Sequence, residues 1–410
     1  MLWIHGGAFV IGAGSQEAYN GHKLSRKGDL VVVTINYRLG ALGFINLKNI
    51  TNGVIPATGN EGLLDQMAAL DWVSRNIDRF GGDPDNITVF GESAGGMSIG
   101  CLLGMPAANG KFKKAIVESG TANTVSTLEN ATDTATRYLE ILGIKTDEAE
   151  KLYSIDAGRL MAAQEKLSDI LRMEDGRITP FQPVIDGESM PALPIDAIRK
   201  GASSNVTVLA GSNIDEFSLF NIMNPDMKDL DEKGIVDNLK DHLPGECIQD
   251  LINVYRKARA KRKESTDPAA ILTAIQTDLM FGRATRQLLE AQSGNNPATY
   301  GYLFDWKSPA LSGALGACHT LEIGFVFGIL EAAFHGSGLL AESLSSKIQD
   351  AWIAFAKTGN PSCRSLGEWR PYSTGRTTMR LGKDCRLEED PLKEEREVWD
   401  KHGIIMLKPI

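Results

Sequence analysis

The chain has 410 residues, enough for a large buried core, and its 42% hydrophobic and 23% charged residues are the balance of a globular protein rather than a disordered or fibrous one. The 43 basic and 52 acidic residues leave a formal net charge of -9, which argues against nucleic acid or an anionic membrane surface as a partner. A spanning helix needs about 18 apolar residues, and the most hydrophobic run, around Ile323 to Phe334, is short and broken by Glu331.

Taken in chain order, Leu2 to Ile4 is a short buried-strand pattern with no charged segment and apolar run before it, so no signal peptide is expected. His5-Gly6-Gly7-Ala8-Phe9 follows as a Gly-Gly turn. Leu30 to Tyr37 reads as a second strand. From Glu61 to Phe80, apolar residues at Leu63, Met67, Leu70, Val73, Ile77 and Phe80 step by three or four and predict an amphipathic helix, stopped by Gly81-Gly82-Asp83-Pro84. Ile87 to Phe90 is a β-branched and aromatic strand, Ala94 to Leu103 a small, apolar helix, and Ala115 to Val117 another strand. Two stretches, roughly 121–205 and 218–297, are mainly helical and read as cap insertions that help wall a pocket. Val206 to Ala210 and Tyr300 to Phe304 are strands, and Ile348, Trp352, Ile353 and Phe355 form the apolar side of a last clear helix ended by Gly359 and Pro361. Strands spaced by helices of this length imply an α/β fold with a mostly parallel sheet covered on both faces, and we expect one domain over 1–410.

Between the strand at Ile87 and the helix at Ala94 lies Gly91-Glu92-Ser93-Ala94-Gly95, a G-x-S-x-G segment in the strand, turn, helix setting of a nucleophile elbow. A sharp turn lifts a serine hydroxyl clear of the sheet, and a Cβ at position 91 or 95 would crowd the backbone. The following helix N-terminus favours an oxyanion formed on attack. Backbone N–H groups of Gly6 and Gly7, with that of Ala94, can approach a substrate oxygen with no side chain in between. A serine nucleophile needs a base whose pKa suits neutral pH, and among six histidines His319 stands out. It follows a small-residue loop, Gly313 to Cys318, at the end of a late strand, whereas His22, His242, His335 and His402 have the polar or segment-end surroundings of surface histidines. Asp215 and Glu216, after the strand Val206 to Ala210, are equal candidates for the acid that steadies the imidazole. A histidine base implies activity rising with pH through roughly 6 to 7. The five cysteines, Cys101, Cys247, Cys318, Cys363 and Cys385, have no metal or disulfide spacing and are expected reduced; no metal or organic cofactor is implied.

The run from Phe80 through Gly96, which contains the elbow, resembles the active-site signature of the type-B carboxylesterases, the family of cholinesterases and bacterial para-nitrobenzyl esterases. Asn36 to Gly40, Gly59 to Gln66, the HGGAF loop and Ala354 to Pro361 match further family blocks. The resemblance implies an α/β-hydrolase fold and hydrolysis of small to medium, apolar or aryl carboxylic esters by a serine enzyme, through an acyl-enzyme. It selects Glu216 over Asp215, supports His319 as base with Ser93 as nucleophile, and carries over Gly6, Gly7 and Ala94 as oxyanion donors. Glu92 resembles a buried family glutamate that tunes pocket electrostatics. All three members of the triad are present, which argues against the family's non-catalytic adhesion proteins. Members normally carry N-terminal strands and a pocket wall ahead of the HGG loop, and this chain starts at that loop. Phe217 stands where glycine is usual, and Cys318, beside the base, is expected to make the site sensitive to thiol reagents. Missing counterparts of the disulfides found in secreted members point to the bacterial, intracellular branch and a cytoplasmic setting.

Overall fold

A computed structural model of the chain describes residues 1–403 other than Gly176, Ile178 and Thr374. The apolar runs form one sheet. Its strands are β1 (Leu2–Ile4), β2 (Val33–Thr34), β3 (Thr88–Glu92), β4 (Lys114–Glu118), β5 (Thr207–Asn213), β6 (Thr299–Phe304), β7 (Thr377–Leu381) and β8 (Arg386–Glu389). They lie in the order β2-β1-β3-β4-β5-β6-β7-β8, and every neighbouring pair is parallel except β7 with β8.

Side chains alternate across the sheet and feed two cores. Leu2, Ile4, Val89, Ala115, Val117, Val208 and Ala210 pack on one face with Leu63 and Leu70 of the helix Glu61–Asn76. Trp3, Phe90, Ile116, Leu209, Tyr302 and Phe304 pack on the other with Ile348, Trp352 and Phe355 of the helix Leu339–Thr358. A third core joins the helix Gly245–Lys261 of the second insertion to Trp399 of the helix Lys393–Lys401.

The second strand is shorter than expected. Only Val33 and Thr34 pair, because their partner β1 is three residues long. The helix Leu339–Thr358 is also not the last, since the charged segment Lys393–Lys401 forms another. Both expected insertions are helical; the first carries an isolated bridge between its own Ser126 and Val184, and its helix Pro194–Arg199 packs Ile195 and Ile198 into the core that holds Leu102 and Leu103 of the helix Ala94–Gly104.

The helix Ala94–Gly104 is buried along its whole length and rides on the sheet backbone. A Cβ on Gly95 would lie 1.9 Å from the carbonyl oxygen of Ile4, and one on Gly91 would lie 2.6 Å from the same oxygen. No rotamer relieves a clash with backbone. We predict that Gly95→Ala lowers the urea midpoint, costing about 3 kcal/mol by overpacking. Gly245→Ala, at an exposed helix start with nothing within 4 Å, should change stability by no more than about 0.5 kcal/mol. Equal midpoints for the two variants would contradict this packing.

Candidate active site

The segments that carry the candidate site residues each follow the carboxyl end of a parallel strand, the edge where open α/β sheets bind ligands. The His5-Gly6-Gly7 loop follows β1, Ser93 follows β3, Glu216 follows β5, and His319 follows β6.

Ser93 has φ 53 and ψ -124, a left-handed backbone that a non-glycine residue adopts only under constraint. The constraint comes from both sides. Its N–H donates to Glu118 O at 3.0 Å, and its carbonyl accepts from Met97 N–H at 2.7 Å, opening the helix. The first N–H groups of that helix have no partner within it and face the same end as the serine. Gly6 lies directly alongside: a Cβ there would fall 3.1 Å from Ser93 Cβ and 2.9 Å from the Glu92 carboxylate. Gly7 has φ 113. His5 braces this loop, with its Nδ1 2.8 Å from Gly6 O and its ring stacked 4.6 Å from Tyr37, whose hydroxyl donates to His5 O.

Glu216 and His319 meet. The imidazole Nδ1 is 2.6 Å from Glu216 Oε2, and both side chains are buried. The other carboxylate oxygen accepts from Ser119 Oγ–H at 2.6 Å and from Asn213 N–H at 2.7 Å. Asp215 points elsewhere, accepting from Ala317 N–H at 2.8 Å and pairing with Lys307 Nζ at 2.5 Å, so it rivets the histidine loop to the acid loop. The two carboxylates left equal by the residues alone are therefore separated by their surroundings.

The far nitrogen of His319 lies 3.2 Å from Glu92 Oε1. Among the described residues no hydrogen bond joins Ser93 to His319, so the structure brings acid and histidine together, and the serine follows directly on the Glu92 that faces the ring. Burial disfavours the imidazolium, but the carboxylates of Glu92 and Glu216 outweigh it and hold His319 above its ordinary range. Burial in turn pushes Glu92 up from the carboxylate range.

Three participants were not expected. Glu322, three residues after His319, is buried and accepts from Asn213 Nδ2–H at 2.5 Å; Asn213 bridges it to Glu216, to which its N–H donates, and the Ser119 hydroxyl lies 3.4 Å from Glu322 Oε1. Phe281 and Phe220 place rings 4.6 and 5.4 Å from the imidazole. Spacing offered a signal only for Glu322, one helical turn beyond the histidine. The rings come from insertions whose packing the sequence does not encode locally.

Two expectations are corrected. His335 is not a surface histidine: it is buried, its Nδ1 accepts from Glu331 N–H at 2.9 Å, and its ring packs edge-on against Phe325. Cys318 is fully buried, and burial pushes its thiol up to about 12, which removes the thiolate that a thiol reagent needs. His22 is exposed, His242 half-buried, and His402 pairs with Asp250 at 2.9 Å. All five cysteines are free. No cluster of His, Cys, Asp and Glu among the described residues could hold a metal ion, and no described helix is long and apolar enough to cross a membrane.

Comparison with known proteins decides the family. The model of the carboxylesterase family matches residues 1–399. The chain belongs to the carboxylesterase family. Its relatives include the para-nitrobenzyl esterase of Bacillus subtilis (strain 168), 41% identical over 410 residues that cover 97% of this chain and 78% of that one. A solved para-nitrobenzyl esterase structure superposes with a TM-score of 0.83 at 40% identity, covering 97% of this chain and 80% of its own. A carboxylesterase structure from Geobacillus stearothermophilus gives 0.85 at 35% identity, covering 97% and 81%. The carboxylesterase thus has the α/β-hydrolase fold and is a serine hydrolase of carboxylic esters, acting on small-molecule esters. The esterase keeps its candidate residues at one end of the sheet.

Proposed function

We propose that the esterase works through a Ser93, His319, Glu216 triad carried by one catalytic domain spanning 1–410. Ser93 Oγ attacks the ester carbonyl while His319 accepts its proton, and Glu216 accepts from the imidazole Nδ1–H and steadies the imidazolium. The N–H groups of Gly6, Gly7 and Ala94 hold the oxyanion. Collapse of the tetrahedral species expels the alcohol with the proton from His319, leaving an acyl-enzyme. Water, deprotonated by the same histidine, then releases the acid and restores Ser93. The observation that carries this reading is the 2.6 Å contact between His319 Nδ1 and the buried Glu216 carboxylate. The strained backbone of Ser93 and the approach of Gly6 support it.

Phe220 and Phe281 beside His319 support small to medium apolar or aryl esters, as does the likeness to a para-nitrobenzyl esterase. Free thiols support a cytoplasmic setting. The direct test is hydrolysis of para-nitrophenyl acetate and butyrate by the native chain and by Ser93→Ala. We expect turnover by the first and a loss of about 10⁴-fold or more in the second; a folded native chain that hydrolyses neither ester defeats the reading.

Glu92 tunes the base. Attack needs neutral imidazole, and the carboxylates raise the pH at which His319 gives up its proton. The kcat/KM profile should therefore rise with pH above the 6 to 7 expected of an ordinary histidine. Replacing Glu92 with Gln removes a negative charge 3.2 Å from the ring, so the rising limb should move to lower pH. A limb that stays in place or moves upward would show that Glu92 does not set it.

A further inference from the structure

Phe281 reaches His319 from the second insertion rather than from the sheet. Its ring and that of Phe220 lie nearly parallel, 8° apart, and both face the imidazole. Phe281 sits in a π-helical turn, Asp278–Gly282, between the helices Pro268–Thr277 and Arg283–Ser293. Such a turn widens the helix at the expense of hydrogen-bond geometry, so it persists where side chains hold it.

Asp278 is the residue that holds it. Its buried carboxylate accepts from the Tyr255 hydroxyl on one oxygen and pairs with Arg286 Nη1 at 2.9 Å on the other. Trp399 Nε1–H donates in turn to Tyr255 Oη at 2.8 Å. The carboxylate also folds back over Gly282, where a Cβ would lie 2.2 Å from Asp278 Oδ1. Just ahead of the turn, Thr277 Oγ1 accepts from the N–H of Phe217, the residue after Glu216, at 3.1 Å. The turn is thus tied to the acid loop on one side and to the helix Lys393–Lys401 on the other.

We propose that Asp278 is a positioning residue for ester hydrolysis: by holding the π-turn it seats Phe281 against the imidazole face, which fixes the ring toward Glu216 and keeps water off that face. The proposal rests on His319 being the base. Rotation of the imidazole out of line with Glu216 would drive it into the phenyl ring, and a catalytic group displaced by about 1 Å can cost about 100-fold in rate.

The test is a double-mutant cycle on the full chain with para-nitrophenyl acetate, whose acyl group is too small to need a distant wall. Asp278→Asn and Phe281→Ala should each lower kcat about tenfold with KM changed less than about threefold, and the double variant should be no slower than the slower single one. Losses that multiply, or an Asp278→Asn enzyme with native kcat per folded molecule and only a lower unfolding midpoint, would overturn the proposal. Should Asp278→Asn fail to fold, Tyr255→Phe, which removes one donor and keeps the shape, takes its place in the cycle with the same expectation. His319→Gln, assayed alongside, separates the two readings: activity retained there removes the base assignment, whereas its loss together with multiplying effects removes only the role of Asp278.

Discussion

The buried pairing of Glu216 with His319 is the constraint around which the rest of the site is arranged. A carboxylate taken out of water loses several kcal/mol of hydration unless it is paired and hydrogen-bonded. Glu216 recovers this through three donors, the Ser119 hydroxyl, the Asn213 N–H and the imidazole, each worth about 1.5–3 kcal/mol for a charged acceptor. Those donors lie at or beyond the ends of three different strands, so the pair forms only where the ends of β4, β5 and β6 converge. Asp215 completes the convergence by binding the loop that carries the histidine. Neighbouring carboxylates thus divide the labour, one facing the imidazole and one fastening the loops.

The sheet supplies the other half of the site. A serine at φ 53 is costly by itself and is retained because β4 and the helix Ala94–Gly104 hold it from both sides. The same close packing of helix on strand that demands glycine at 91 and 95 sets the helix N-terminus beside the hydroxyl. Gly6 then closes on Ser93 from β1. Fold stability and the backbone geometry around Ser93 therefore share residues, and a side chain added at one of these glycines disturbs both.

Much of this was legible in the sequence, for local reasons. The elbow is a contiguous segment whose strand, turn and helix each carry their own signal, and the unbroken apolar run Leu2, Trp3 and Ile4 already marks a strand buried on both faces. Carboxylate choice was not legible from residue type, since Asp215 and Glu216 differ only in where the loop turns them; the family resemblance pointed to the one that the fold sets against His319. The strands β7 and β8 were missed because Thr377–Leu381 and Arg386–Glu389 are short and mixed in polarity. The helix Lys393–Lys401 was missed because Val398 and Trp399 are the only apolar residues on it. His335 misled for a similar reason: its burial depends on Phe325 and on a glycine, Gly324, that leaves room for its ring. The ion pairing of His319 with Glu92, which lifts the histidine above its usual range, arises from an approach across strands that no spacing announces.

The most direct measurement compares kcat for Glu216→Gln and Asp215→Asn on one ester, with the folded fraction of each matched by circular dichroism. If Glu216 is the partner of His319, Gln at that position should cost on the order of 10⁴ in kcat, because the amide carries no charge to steady the imidazolium and its NH2 can hold the wrong tautomer. Asn at 215 should cost far less, through a loosened histidine loop. A larger loss at Asp215 than at Glu216 would contradict the assignment of the acid and with it the arrangement of the site.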